Sequence, residues 1–467
     1  MTGAFTTNHE LDDLPAGYRL TGLGPLPKEW RVVRLEEITA KCFSGVWGDN
    51  PEELKKDEQV LAKVIRVSDI KPDSRIAYYD VPARAVETKE LQKYRLKRGD
   101  IVVVKSSGSK SRIISGRSAI FEPPNNVETF IPSNFTLALR INSQISDLYF
   151  LSYYLLTRQS KEWVDHIVEG STYPNLKTAE YMMMPIPLPP LSEQRAIAHV
   201  LRAVQRAREA TERVIVGLRE LKKSLMRHLF TYGPVPVDAT DQVPMQETDI
   251  GSIPAHWRVV GLGEVARITM GQSPPGEMYN SEGDGIPLLN GPAEFGKRYP
   301  KPIKWSRKTT KVGKPGDILL CVRGHTTGRL NIADRDYCLG RGIAAISSID
   351  NLTEQNFLFY LLEGSQQTIL DIAAAGGSTF PNITRTQLYT FPIPLPPLCE
   401  QRGMGRILGA VDHKLEAEEA CKPALEALFK TLLHDLMTAR RRLPRECVAR
   451  FEGDSPASQR EHQEGTP

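Results

Sequence analysis

Two short stretches of the chain carry the residue types that can grip a polyanion. Lys105-Ser106-Ser107-Gly108-Ser109-Lys110-Ser111-Arg112 follows the apolar run Ile101-Val102-Val103-Val104, and Arg323-Gly324-His325-Thr326-Thr327-Gly328-Arg329 follows Ile318-Leu319-Leu320-Cys321-Val322. Lysine and hydroxyl side chains suit phosphate oxygens, and arginine can make two parallel hydrogen bonds to the edge of a guanine. Glycine lets the backbone come close to either. The candidate nucleic-acid contacts are therefore Lys105, Ser106, Ser107, Ser109, Lys110 and Arg112 in one stretch, and Arg323, His325, Thr326, Thr327 and Arg329 in the other. Each alone is as readily an ordinary solvated loop. Their equivalent placement, directly after a buried strand pattern, favours recognition.

Other chemistry is not written into the sequence. A GxxxxGK[ST] phosphate loop, an HExxH metal motif and a GxSxG nucleophile elbow are all missing, and the histidines are scattered singly. An Asn- or Asp-Pro-Pro-aromatic segment, which amino-methylating enzymes use to hold an extruded base, is missing too; Ser273-Pro274-Pro275-Gly276 has neither the amide nor the ring. The six cysteines form no CxxC pair, so neither a zinc site nor a disulfide framework is indicated. The expectation is a non-catalytic chain that holds no metal and no cofactor of its own.

The elements that must position the two stretches are themselves duplicated. Pro185-Ile186-Pro187-Leu188-Pro189-Pro190-Leu191-Ser192-Glu193-Gln194-Arg195 returns at Pro392–Arg402 with one change, Cys399 for Ser192. Trp30-Arg31-Val32-Val33 returns as Trp257-Arg258-Val259-Val260, and Gly99-Asp100-Ile101 as Gly316-Asp317-Ile318. Asn134–Arg140 aligns with Arg341–Ser347, and Gly170-Ser171-Thr172-Tyr173-Pro174-Asn175 with Gly377-Ser378-Thr379-Phe380-Pro381-Asn382. That last pair is also plain turn chemistry, and we read it as structural. The offset between copies falls from 227 at the tryptophans to 217 at Gly-Asp-Ile and 207 from Asn134 onward, so the copies differ in length only in their globular parts.

Each proline-rich segment is extended, because the rings fix φ and remove amide donors. A long helix should follow, with Ser192 as N-cap and Glu193 in the first turn. Ile197, Leu201, Val204, Ala207, Thr211, Val214, Leu218, Leu221, Leu225 and Leu229 then form an apolar seam at three- and four-residue steps, and the second copy offers Leu408, Val411, Leu415, Glu418, Lys422, Leu425, Phe429, Leu432 and Leu436. Pro423 should kink or break the second helix, and Gly403, Gly405 and Gly409 weaken its start. In the globular parts short apolar runs read as strands, while Asp147–Ser160 and Glu354–Gln367 read as amphipathic helices. The fold expected is α+β: two similar domains separated by two long helices packed as an antiparallel coiled coil, with an internal pseudo-two-fold. Its parts are a loose N-terminal arm (1–26), a first domain (27–184), its proline segment and helix (185–232), a linker (233–250), a second domain (251–391), its proline segment and helix (392–439), and a basic, polar, disordered tail (440–467).

Composition sets wide bounds only. A chain of 467 residues with 40% apolar content has room for two or three cores. A formal charge of +4 is compatible with nucleic-acid binding and proves little. No stretch has the layout of a signal peptide or the apolar length of a membrane span, so a cytoplasmic protein is expected.

Two diverged copies, each opening near Pro-x-x-Trp and closing in Pro-Leu-Pro-Pro-Leu-x-Glu-Gln-Arg plus a long helix, resemble the specificity subunit of type I restriction-modification systems, from about Pro27 to Ala439. The resemblance implies that each domain reads one half of a bipartite, asymmetric target in double-stranded DNA, and that the helices set the unread gap. It implies two methyltransferase subunits and restriction/translocase subunits as partners, with S-adenosylmethionine, ATP and Mg on them and not on this chain. Docking to those partners and spacing fall to Glu193, Gln194, Arg195, Leu201, Leu218 and Leu225 on the first helix and Glu400, Gln401, Arg402, Leu415, Leu425 and Leu432 on the second. A fused methylase-nuclease partner, or a coiled-coil scaffold that does not bind DNA, are the alternatives.

Overall fold

The computed structural model describes residues 14–54, 58–106, 108–109, 112–125, 128–169, 175–375 and 381–453. The chain forms two compact units, one built from residues up to Ala210 together with those from Lys422 onward, the other from Thr211–Cys421. Each unit therefore owns half of each long helix, α1 (Leu191–Tyr232) and α2 (Leu398–Met437). The domain boundaries expected at the proline segments give way to this division.

Both units hold the same four-stranded antiparallel sheet. In the first its strands are β1 (Thr39–Ser44), β2 (Ile101–Val104), β3 (Ser118–Ile120) and β4 (Thr136–Ile141), in the order β3-β2-β4-β1. In the second they are β5 (Ala266–Met270), β6 (Ile318–Cys321), β7 (Leu330–Ile332) and β8 (Ile343–Ser348), in the matching order β5-β8-β6-β7. Both central strands, Ile101–Val104 and Ile318–Cys321, are buried on both faces, which is why their sequences read as unbroken apolar runs. The copies differ in a second sheet, three-stranded in the first unit and five-stranded in the other; each contains one parallel pair.

Several expectations are corrected. Tyr18–Thr21 and Gly24–Pro27 form an antiparallel hairpin with Leu26 buried, so the supposed arm is ordered from there; Met245–Thr248, in the supposed linker, and Gly251–Pro254, at the start of the second domain, repeat it. Asp147–Ser160 is two helices, Leu148–Tyr154 and Arg158–Ile167, because the Thr157 hydroxyl accepts from the Ser160 amide and caps a new start. The long stretch from Glu354 likewise divides at Ser365. α1 begins at Leu191, which puts Ser192 inside the first turn and leaves the capping position to Pro190. α2 runs unbroken through Pro423, whose ring lies on an exposed face. The expected tail contains the short helix Arg445–Ala449; residues 454–467 lie outside the described residues.

The proline segments do more than stiffen the entry to a helix. Pro185–Leu188 pairs antiparallel with Arg31–Arg34, and Pro392–Leu395 with Arg258–Gly261. A two-stranded ribbon tolerates prolines because each strand needs to donate along one edge only.

Candidate nucleic-acid interface

The duplicated Glu-Gln pair fixes each globular part to its helix. In the first unit the Trp30 indole donates to Glu193 Oε2 at 3.0 Å, and Arg442 donates to both oxygens of the same carboxylate, at 2.9 Å from Nη2. In the second the Trp257 indole donates to Glu400 Oε2 at 2.9 Å and His256 bonds Oε1 at 2.7 Å. The glutamines are matched as closely. Gln194 accepts from the Asp147 amide and donates to the carbonyls of Ile145 and Pro189; Gln401 accepts from the Glu354 amide and donates to those of Leu352 and Pro396. Glu193, Gln194 and Gln401 are buried, with their polar atoms spent inside their own unit, which leaves them no surface from which to hold a partner. Of the other residues assigned to docking, Leu201 is core, Arg195, Leu218, Leu225, Glu400, Leu415, Leu425 and Leu432 are half-buried, and Arg402 is exposed.

Within each unit the start of one long helix runs antiparallel to the end of the other. Glu193 meets Arg442 and Arg208 meets Glu426 in the first unit; Arg219 meets Glu419 and Lys222 meets Asp412 in the second. The apolar seam of α1 is shifted from the expected one. Ala207, Val214 and Leu221 are exposed, and Arg208, Ile215 and Lys222 take the inward places, giving the unbroken heptad Ile197, Leu201, Val204, Arg208, Thr211, Ile215, Leu218, Lys222, Leu225, Leu229. Two cations in a seam need partners. The Arg208 guanidinium lies over the Phe429 ring at 5.3 Å, and Lys222 bonds Asp412 and Glu363 at 2.8 Å each. Burial alone pushes the Lys222 ammonium down, but Glu363 and Asp412 outweigh it and hold the group above the ordinary lysine value. Tyr360, which donates to Asp412 at 2.8 Å, is pushed far above the usual phenol range by burial and by that carboxylate.

The two candidate loops sit at the same end of the same sheet. After β2, the Lys105 and Ser106 amides donate to the Phe135 carbonyl and Ser106 bridges to Asn175; after β6, the Val322 amide donates to the Gly342 carbonyl and Arg323 bridges to Asn382. The structure thus joins the basic loop to the Pro-Asn end of the Gly-Ser-Thr stretch in both units, across 69 and 59 residues of sequence, a partnership the sequence reading did not foresee. Lys105 and Ser106 are half-buried, whereas Arg323, His325, Thr326 and Arg329 are exposed. Thr327 is 4% exposed, and its hydroxyl closes the turn on the Gly324 carbonyl at 2.7 Å, so it shapes the loop and is removed from the contact set. Ser107 and Lys110 lie outside the described residues; Ser109 and Arg112 are placed in a short hairpin by their backbones only.

Further polar residues at this sheet end were missed. Asn134 and Arg341, exposed and with side chains that have no partner among the described residues, occupy matched turns just before β4 and β8. Arg117 and Arg329 are matched as well, since their carbonyls accept from the amides of Val104 and Cys321. The signal was present in the repeat alignment, which sets Asn134 against Arg341; the pattern of loop composition hid it because neither residue stands in a basic cluster.

The profile of the type I restriction modification DNA specificity domain matches residues 27–218 and again 254–427. A putative type I restriction enzyme specificity subunit of Methanocaldococcus jannaschii, MjaX, is 32% identical over 430 residues, which is 91% of this chain and 97% of that protein. The MjaVIII specificity subunit of the same organism is 25% identical over 358 residues, 74% of this chain and 79% of that one. The crystal structure of a type I restriction-modification S subunit from M. genitalium has a TM-score of 0.57 at 17% identity, with 87% of this chain and 96% of that one covered, a likeness of fold.

Proposed function

The chain belongs to the family of type I restriction-modification specificity subunits, and we propose that it is the subunit through which such a complex reads DNA. Each unit reads one half of a bipartite target with the sheet end that carries Lys105, Ser106 and Asn134 in one case and Arg323, Arg329 and Arg341 in the other. The observation that carries this reading is the pairing of one geometry with two chemistries. Both units build the same bridge, Ser106 to Asn175 and Arg323 to Asn382, and then hang different side chains on it. A shared frame with different readers is what an asymmetric target requires.

The long helices set the unread gap. Each contributes to both units, and a helix of about 40 residues is roughly 60 Å long, under two turns of DNA. Methylation and cleavage belong to partners: two methyltransferase subunits with S-adenosylmethionine, and restriction/translocase subunits with ATP and Mg. This chain supplies position and no reacting group. The work is cytoplasmic; among the described residues no helix is long and apolar enough to cross a membrane.

Co-expression with the methyltransferase subunits of its system, followed by mapping of N6-methyladenine, tests this directly. Methylation confined to a two-part motif and lost when this chain is omitted is the expected result. Methylation that keeps its motif without this chain would refute it.

A further inference from the structure

We infer that the half-site read by the second unit contains guanine, and that Arg323 and Arg341 are the residues that select it; the inference rests on the recognition reading above. Three arginines stand at one end of three neighbouring strands. Arg341 precedes β8, Arg323 follows β6, and Arg329 precedes β7, with the backbone bonds Val322 amide to Gly342 carbonyl and Cys321 amide to Arg329 carbonyl, 2.9 Å each, fixing them side by side. Strands lie about 4.8 Å apart, so the row is roughly 10 Å across, inside the ~12 Å width of a DNA major groove.

These guanidinium groups are committed to nothing else. All three are exposed, and none has an acidic or hydrogen-bonding side-chain partner among the described residues, whereas the half-buried Arg140 and Arg298 are paired with Asp100 and Glu416. Their backbones are held firmly. The Arg341 amide donates to Ser273 Oγ at 3.2 Å, and a Cβ at either flanking glycine would collide with Asn290, 2.5 Å from its Oδ1 at Gly340 and 2.4 Å from its carbonyl at Gly342. The Arg323 carbonyl accepts from the Cys321 thiol, and the turn beyond it is closed by Thr327 on Gly324. Anchored backbones under uncommitted guanidinium groups suit the two-bond contact that arginine makes with guanine O6 and N7.

The matched positions of the first unit sharpen the inference. Ser106 stands where Arg323 does and Asn134 where Arg341 does, while Arg117, the counterpart of Arg329, is half-buried with its guanidinium on the Ile70 carbonyl. Among the described side chains these three matched positions carry free guanidinium groups in the second unit and not in the first, and the two half-sites are expected to differ in guanine content at the positions these residues reach.

Binding selection from random duplexes, with the full chain assembled with its methyltransferase subunits, tests the inference on wild type, Arg323→Gln and Arg341→Gln. Both positions are exposed and unpaired, so thermal unfolding of the variants should match wild type. The expected result is a wild-type motif with guanine in one half, and a variant that loses roughly 5- to 100-fold discrimination at one guanine of that half while the other half and the gap stay fixed. A motif whose variant-sensitive half lacks guanine would overturn the assignment. So would uniform weakening on all duplexes with unchanged base preference, the mark of phosphate contacts. Failure of the wild-type assembly to enrich any motif would remove the recognition reading itself, and the inference with it.

Discussion

At the residue scale, the repeated glutamate is the part of the motif whose chemistry is most constrained. Glu193 is 3% exposed and serves the Trp30 indole and Arg442 together, so Glu193→Ala strands a buried donor and frees a cation. Arg442 is partly exposed, which discounts the ionic share, and the expected loss is roughly 2–4 kcal/mol. Glu193→Gln keeps one acceptor for Trp30 and should cost about half as much. Urea unfolding followed by tryptophan fluorescence checks the order; equal losses would mean that the charge matters and the indole bond does not. Glu419 makes a pH-dependent contribution in the other unit. Its carboxyl is held below the ordinary value near 4.5 by the hydrogen bond from Lys297, with Arg219 adding to it and partial burial opposing it. A carboxylate depressed by folding stabilises above its unfolded value and loses that contribution as pH falls through the folded one. Wild type should therefore exceed Glu419→Gln by roughly 1 kcal/mol at pH 7, the modest size expected with an exposed lysine partner, and the gap should close below pH 4. A gap that persists unchanged at pH 3 would show that packing, not charge, separates the two. The identity of Glu193 and Glu400 was visible in the sequence as a repeat. Their partners were not, because Trp30 and Trp257 lie 163 and 143 residues away and nothing local marks the pairing.

Among the elements, α2 was the more legible helix and α1 the less. All nine seam positions expected on α2 are buried or half-buried, including Glu418 and Lys422. On α1 the expectation followed apolar residues to Val214 and Leu221, one place short of Ile215 and Lys222. The heptad is a geometric constraint, and a charged residue can occupy it when a partner is supplied; Asp412 and Glu363 come from elements far away in sequence, so composition alone favoured leucine over lysine. Pro423 is expected to kink or break the helix because a helix-interior proline removes one backbone bond and crowds the preceding turn. The helix persists because its inward residues on both sides, Lys422, Leu425 and Phe429 among them, are held by tertiary packing, which outweighs propensity. Pro423→Ala should then restore the missing amide and stabilise the protein by roughly 1–3 kcal/mol, less the entropy that proline removes from the unfolded chain. Guanidinium unfolding measures it. No gain, or a loss, would mean that the proline ring itself is a packing element.

For the molecule as a whole, the consequence that sequence order conceals is that the last part of the chain belongs to the first unit. The duplicated motifs announced two equivalent domains, and both sheets confirm that, but each domain was expected to end with its own helix. In the structure Phe429, Leu433, Leu436, Met437 and Ala439 lie in one core with Leu26, Trp30, Tyr153, Ile197 and Leu201, the Tyr18 hydroxyl donates to the Ala439 carbonyl at 2.7 Å, and Arg442 closes on Glu193. Linear reading cannot reveal this, because the contacts join residues far apart, 421 positions for Tyr18 and Ala439 and 249 for Arg442 and Glu193, and only the antiparallel course of two helices brings them together. A chain truncated after Cys421 should accordingly lose the unit at its opposite end. Removing these five buried apolar side chains with their neighbours withdraws on the order of 5–10 kcal/mol of burial from the first core, comparable to the whole stability of a domain. The second unit, Thr211–Cys421, keeps every contact of its own core, from Leu229 and Trp257 to Met404 and Leu408. Limited proteolysis read by mass spectrometry should find cleavage throughout residues 14–210 and protection within 211–421, the reverse of what a C-terminal deletion produces in a protein whose domains follow sequence order. Protection of residues 14–210 in the truncated chain would show that the first unit folds on its own half of α1 and takes only a minor contribution from α2.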